Sequence, residues 1–292
     1  MDIEKFQNLH LQVPSPIEEI FDPLWTEQNI RILVKRDDLI HPIISGNKWR
    51  KLKEYIHLAQ ETPEYSLLSF GGAYSNHLYS LAYTGHMVGL HTIGIIRGEE
   101  LNITSNPYLH QMSQWGMYLI FISRSSYKNK EIPKEISHQK YILIPEGGYS
   151  DVGLKGMKTL ADELNYDIHA DYLITAIGTG TTGLGLSQYI STKIIGILTL
   201  NNLNEIHEHM HEHSIKPENI ELNSAYIFDK YAKNHEVLTD FCVEFEQKHQ
   251  IKIEPIYTGR MFYGLYDLLK KKYFESGSTL VALHTGGIKL TD

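Results

Sequence analysis

Tyr172-Leu173-Ile174-Thr175-Ala176-Ile177-Gly178-Thr179-Gly180-Thr181-Thr182-Gly183 is the stretch that decides the fold class of this chain. Its first six residues read as a short buried strand, and the residues from Leu184 through Tyr189 and Ile190 read as a helix, so the glycines fall at a strand-to-helix turn. A turn of that kind aims backbone N–H groups and the positive end of the helix at one point, where a phosphate binds. The threonines add hydroxyl donors. The segment also satisfies Gly-x-Gly-x-x-Gly, whose dinucleotide reading needs an acidic residue at the end of the next strand to hold a ribose. That next apolar run, 194–200, ends in Asn201-Asn202, so a single phosphate monoester is the better match.

The same punctuation repeats along the chain. Apolar runs at 31–34, 66–70, 91–96, 117–122, 140–144, 172–177, 194–200 and 279–283 alternate with helical stretches. Alternation of this kind predicts an α/β protein with mainly parallel sheets covered by helices. With 292 residues, 42% of them hydrophobic, the chain buries a full core and is long enough for one large or two modest domains. A formal charge of −8 gives no basic footprint for nucleic acid. The one cysteine, Cys242, leaves no intramolecular disulfide framework and fits a reducing compartment, while its neighbours Phe241 and Val243 favour burial over reactivity. The N-terminal residues lack the pattern of a signal peptide and no apolar run reaches membrane-spanning length, so a cytoplasmic location away from the membrane is expected.

Lys48 stands in Ser45-Gly46-Asn47-Lys48-Trp49-Arg50-Lys51-Leu52. Most lysines are solvated surface charges. Here Gly46 and Asn47 form a turn signal while Trp49, Leu52, Tyr55 and Ile56 recur at helical spacing, which puts the lysine at a helix start. There, and beside Arg50, Lys51 and Lys53, the ammonium form is disfavoured and more free amine is left to attack a carbonyl. One amine and one phosphate cradle on the same chain point to an aldehyde cofactor that bears a phosphate. A third segment has the same design: a strand from 65 to 70 is broken by Gly71-Gly72-Ala73-Tyr74, and Ser75-Asn76-His77 opens a helix. Taken alone, Ser75 reads as an N-cap.

Together these segments resemble the fold-type II pyridoxal-phosphate enzymes of the tryptophan synthase beta group, in the branch of 1-aminocyclopropane-1-carboxylate deaminase and D-cysteine desulfhydrase. The resemblance runs from Val34-Lys35-Arg36-Asp37-Asp38 to His284-Thr285-Gly286-Gly287. It implies two open, mainly parallel, twisted sheets, with residues 51–157 as a smaller domain inserted into a larger one of 1–50 and 158–292, and the cofactor in the cleft between them. It makes Lys48 the Schiff-base lysine to pyridoxal 5'-phosphate. Gly178, Thr179, Gly180, Thr181 and Thr182 take the place of the family's phosphate cup, and Asn47, Asn76, Thr258 and Thr285 join them around the cofactor. Ser75, Asn76 and His77 then receive the substrate, a small amino acid. Homodimers are the assembly that the family favours.

The C-terminal third subdivides the branch. Pro255-Ile256-Tyr257-Thr258-Gly259-Arg260-Met261 resembles the family's Pro-x-Tyr-[Glu/Thr]-Gly-Lys segment, and Tyr231 stands at the position of a second active-site tyrosine. With nineteen tyrosines in the chain, packing is the plain alternative for both Tyr257 and Tyr231. The cyclopropane deaminases have a glutamate facing the pyridine nitrogen where this chain has Thr258, and a leucine where it has Thr285; both threonines look like the desulfhydrases. A carboxylate keeps the pyridine protonated and able to absorb the charge of ring opening, whereas a hydroxyl does this less well. The reading is therefore β-elimination from a small D-amino acid such as D-cysteine, giving a 2-oxo acid, ammonia and sulfide, with Lys48 removing the α proton. Cyclopropane ring opening to 2-oxobutanoate and ammonia is the alternative. Trp49 and Arg260 depart from the family pattern, and substrate specificity is the property most exposed to them.

Two further classes compete. His207-Glu208-His209-Met210-His211 satisfies the zinc-protease pattern His-Glu-x-x-His, with His213 beyond it. Yet the segment 201–219 is polar nearly all round and is expected to be a flexible, solvated excursion, so no metal site is assigned. A non-catalytic carrier of pyridoxal phosphate would keep Lys48 and the cradle but gain nothing from Ser75, Tyr257 and the two threonines.

Overall fold

The structure, a computed structural model of the chain, describes residues 9–44, 46–215, 218–228 and 236–287. These residues fall into two compact units. One comprises 9–11, His41–Ile44 and Lys48–Gly153; the other comprises Gln12–Ile40, 46–47 and 154–287.

The larger unit is built on a six-stranded sheet and the smaller on a four-stranded one. In chain order the strands are β1 (Ile17–Ile20), β2 (Arg31–Lys35), β3 (Ser66–Gly71), β4 (Thr92–Arg97), β5 (Tyr118–Ile122), β6 (Tyr141–Ile144), β7 (Tyr172–Ile177), β8 (Lys193–Leu198), β9 (Ile220–Asn223) and β10 (Thr279–Leu283). The large sheet runs β1-β2-β10-β7-β8-β9, and only the β1–β2 pairing is antiparallel. The small sheet runs β5-β4-β3-β6, all parallel.

Parallel strands need long crossovers, and the helices that supply them cover both faces, so the central strands are apolar at successive positions. Val281 pairs with Leu33 on one side and Leu173 on the other, and these side chains share one face with Leu160, Leu164, Leu186 and Ile194. Ile32, Val34, Ile174, Ile195, Leu280 and Ala282 point the other way, into Phe262, Leu265 and Leu269 of the helix Thr258–Lys270. In the smaller unit Leu68, Phe70, Ile93, Ile95 and Ile120 close over Tyr127 and Ile136.

Every run expected from the sequence is present as a strand, with shifted ends; the run at 194–200 is β8, which stops at Leu198. Two strands were not foreseen. β1 carries Glu18 and Glu19 in its four residues, which hides an apolar pattern, and those glutamates pair with Arg36 and Arg31 at 2.7 Å each. β9 is a four-residue edge strand after the histidine-rich segment. Among the described residues no helix is long and apolar enough to cross a membrane.

Candidate active site

In the smaller unit the active-site candidates lie on one helix and one strand end. The helix Asn47–Glu61 starts at Asn47, so Lys48 sits in its first turn, as its flanking signals predicted. Lys51, three residues on, shares that face of the helix. Its Nζ donates 2.8 Å to the Gly147 carbonyl, and burial together with the neighbouring Lys48 charge pulls its pKa from the ordinary 10.5 to about 7. Tyr55, a further turn along, is hydrogen bonded to Ser150.

A group whose folded pKa is depressed in this way binds fewer protons than the unfolded chain between about pH 7 and 10.5, so stability rises with pH across that window. The cofactor-free protein is therefore expected to melt at a higher temperature as pH rises from 7 toward 10, and Lys51→Met is expected to flatten the rise. Parallel melting curves of the two proteins would sink the assignment.

At the end of β3 the chain turns through Gly71 into the helix Asn76–Val88. A Cβ on Gly71 would lie 2.7 Å from the Ser75 Oγ, so the turn closes only on glycine. Ser75 is the N-cap, its oxygen accepting the Leu78 N–H at 3.2 Å, which leaves the hydroxyl proton to donate elsewhere. His77 Nε2 lies 3.0 Å from Ser69 Oγ, and Ser69 gives its own proton to the Ile144 carbonyl at 2.7 Å. Ser69 can then only accept, so Nε2 carries the proton and Nδ1 is the lone-pair nitrogen. Burial, Lys51 and Lys48 lower the His77 pKa to about 3, so the ring is neutral.

In the larger unit β7 ends at Ile177 and the loop passes through Gly178 and Thr179 to Gly180, the left-handed N-cap (φ 92°) of a short helix, Thr181–Ser187. That helix begins three residues earlier than the sequence suggested. No side chain caps it, and Thr181 and Thr182 are buried in its first turn. Thr179 and Thr181 hydroxyls lie 3.2 Å apart, and Thr182 Oγ accepts the Asn47 side-chain amide at 2.8 Å. Hydroxyls and an uncapped helix start converge on one loop, which fits a phosphate.

The histidine-rich segment, expected to be a solvated excursion, includes a helix, Leu203–Glu212, in which Ile206 is fully buried. Ile206 Cδ1 lies 2.9 Å from where a Cβ on Gly180 would be, so one apolar residue filling the space above a glycine anchors an otherwise polar helix. His207, Glu208 and His211 face solvent, and among the described residues no three His, Cys, Asp or Glu are placed to hold a metal ion.

The loop's other neighbours come from the C-terminal third. The Tyr257 ring lies 3.1 Å from the position of a Cβ on Gly178, and Arg260, a buried departure from the family lysine, donates to the Thr199 carbonyl at 2.5 Å. Thr258 is fully buried and Thr285 nearly so. Thr285 works through its backbone: its carbonyl accepts the Asn47 N–H at 3.2 Å, and it stands 1.8 Å from the place of a Cβ on Gly46. The residues just before Lys48 are thereby held against the late glycine pair. Tyr231 lies outside the described residues.

Glu254 was missed by the sequence reading. Its carboxylate accepts N–H groups of Ile256, Tyr257 and Thr258 at 2.7–2.8 Å and the Thr258 hydroxyl at 3.2 Å. Burial raises its pKa while those donors oppose the rise. Its signal was an acidic residue just ahead of a helix start. Lys51 was legible only as a neighbour of Lys48, although its i+3 spacing was a signal too. Cys242 is buried, as expected, with its thiol pushed up to about 12 by burial and by Glu254.

Residues 14–286 match the family described as pyridoxal-phosphate dependent enzyme. A Pyrococcus furiosus protein provisionally named as a 1-aminocyclopropane-1-carboxylate deaminase is 29% identical over 89% of this chain and 85% of its own length. The 1-aminocyclopropane-1-carboxylate deaminase of Rhizobium leguminosarum bv. viciae is 23% identical over 98% and 95%. A crystal structure of an ACC deaminase homologue superposes with a TM-score of 0.79 at 26% identity, covering 99% of this chain and 96% of that one. A cysteine synthase from Entamoeba histolytica shares the fold at 17% identity, with a TM-score of 0.73 over 96% and 86%. With the helix-start lysine, the phosphate-fitting loop and a family match that spans nearly its whole length, this chain belongs to the fold-type II pyridoxal-phosphate-dependent enzymes.

Proposed function

We propose that this chain deaminates a small amino acid, with 1-aminocyclopropane-1-carboxylate as the foremost substrate and 2-oxobutanoate and ammonia as products. The observation that carries it is the near full-length likeness to proteins named for that activity, on a chain that has both the lysine and the phosphate loop. A second reading, elimination from D-cysteine, is favoured by the hydroxyls of Thr258 and Thr285, where the cyclopropane deaminases carry glutamate and leucine. In either case the working unit is a homodimer, the state that family resemblance implies.

Bound pyridoxal phosphate supplies an electron sink for charge developing on the substrate carbon. The residues of the chain do the rest. Lys48 would hold the cofactor aldehyde and would move the proton of the substrate carbon. Thr179, Thr181 and Thr182 donate hydroxyl protons to the phosphate, and Asn47 orients Thr182 for this by occupying one of its lone pairs. Ser75, whose oxygen already caps a helix, gives its proton to the substrate carboxylate. Neutral His77 offers Nδ1 as an acceptor, and Tyr257, seated over Gly178, orients the substrate.

Purified protein loaded with pyridoxal phosphate is incubated with each substrate separately. 2-Oxobutanoate and ammonia from the cyclopropane amino acid, with D-cysteine inert, is the expected result. Sulfide and pyruvate from D-cysteine alone would establish the second reading, and a loaded protein that turns over neither would overturn both.

A further inference from the structure

The loop that follows β7 is gripped from one side. The Ile177 carbonyl accepts the Thr199 N–H at 2.9 Å and the Thr199 hydroxyl at 3.1 Å, and the next carbonyl, of Gly178, accepts the Asn202 side-chain amide at 2.8 Å. Two successive carbonyls therefore face the segment 199–202. In a planar peptide the N–H points opposite the C=O, so the Gly178 and Thr179 N–H groups are turned away from that segment. Among the described residues nothing accepts the Thr179 N–H. The left-handed Gly180 comes next, and then the uncapped start of the helix Thr181–Ser187. Successive N–H groups presented together in such a turn form a concavity for an anion.

Asn202 serves this loop rather than its own helix. It stands at the N-cap of the helix Leu203–Glu212, where the side-chain oxygen of an asparagine ordinarily accepts an N–H of the first turn. Here it makes no such bond, and Oδ1 is buried with no partner among the described residues. An orphaned buried acceptor is costly. Turning the amide over does not relieve it, since Oδ1 would then face the Gly178 carbonyl, another acceptor. Ile206, one helical turn on, fills the space over Gly180, so one side of this helix meets the loop at both glycines.

We propose that Asn202 is a positioning residue for the cofactor phosphate: by holding the Gly178 carbonyl it fixes the Gly178–Thr179 peptide so that the Thr179 N–H, and not a carbonyl oxygen, faces the phosphate. The inference rests on the reading that seats the phosphate in this loop, and it names a residue outside the loop that decides which way the loop's backbone points. Glycine at 178 makes the hold necessary. The Tyr257 ring lies 3.1 Å from the place of a Cβ there, so a side chain is not accommodated without displacing the ring. Without a Cβ the backbone at 178 is permissive and the peptide after it is easily turned over. A turned peptide would present its oxygen to an anion. The restraint that a side chain would have placed on this backbone comes from the Asn202 amide instead.

The test compares the affinity of the full chain for pyridoxal phosphate with its affinity for pyridoxal, which lacks the phosphate. Asn202→Ala removes the amide. Asn202→Asp keeps the shape and caps a helix as well as asparagine does, but it cannot donate to Gly178, so a role confined to the helix survives in it. Both variants are expected to bind pyridoxal phosphate at least about tenfold more weakly, to bind pyridoxal as the wild type does, and to shift the phosphorus NMR signal of the bound cofactor. Equal losses for the two ligands, or no loss for either, overturn the proposal, because the phosphate is then not what Asn202 serves. So does a loss in one variant alone, which points to helix capping if it is the alanine and to the added charge if it is the aspartate. The double variant Thr179→Val, Thr182→Val is expected to lose the preference for pyridoxal phosphate whatever Asn202 does. A preference kept in full by that variant shows that the phosphate lies elsewhere and removes the underlying reading. Melting curves of the cofactor-free proteins verify that each variant is folded.

Discussion

Lys48→Ala is expected to abolish the covalent attachment of pyridoxal phosphate and to lower turnover by about a thousandfold or more, because the proposed function gives one amine two tasks, holding the aldehyde and moving the substrate proton. Lys51 is the obvious understudy, since it is close enough to Lys48 for the two charges to interact and its pKa of about 7 leaves free amine at neutral pH. Its Nζ, however, is tied to the Gly147 carbonyl. The variant is expected to retain cofactor through the threonines of the phosphate loop, but as free aldehyde. Absorbance, mass spectrometry after borohydride reduction and kcat check this together. Reduction that still fixes cofactor to the Lys48→Ala chain would sink the assignment and point to Lys51.

Gly46→Ala is expected to cost about 3 kcal/mol or more and to leave little folded protein. Gly46 has φ 67°, a region that side chains rarely adopt, and its N–H donates to the Asp37 carbonyl at 2.8 Å. A Cβ there would lie 1.8 Å from the Thr285 carbonyl oxygen and 2.7 Å from the Gly286 nitrogen, backbone atoms that cannot swing aside. Gly89→Ala is the matched control: its φ is 71°, yet nothing lies within 4 Å of its Cβ position. That variant pays only the backbone term, about 1 kcal/mol. Denaturant midpoints of the two variants separate collision from conformation, and equal losses would show that the close approach of Thr285 to Gly46 is not real.

Sequence patterning made most of the fold legible for a physical reason. Central parallel strands are covered on both faces, so β2, β7, β8 and β10 are nearly continuous apolar runs, and glycine marks the turns after β3 and β7, where a Cβ on Gly71 would meet Ser75 and Gly180 has φ 92°. The edge strands β1 and β9 were illegible because only part of their surface is covered, so charged residues are tolerated in them. The histidine-rich helix was misread because average polarity conceals a single buried side chain, and Ile206 needed the vacancy over Gly180 to be buried at all.

The sequence by itself determined what chemistry is available: an amine at a helix start, a glycine and threonine loop at a strand end, and a serine that opens a third helix. These are local features, set by residues within a turn or two of one another, and local propensity expresses them directly. Only the tertiary structure decided how the groups are biased. Burial beside a second ammonium depresses Lys51, the bond from Ser69 to Ile144 fixes the His77 tautomer, and the Thr285 carbonyl confines Gly46. Desolvation, hydrogen-bond direction and steric exclusion arise from the atoms that surround a group. Most of those atoms come from segments distant in the chain.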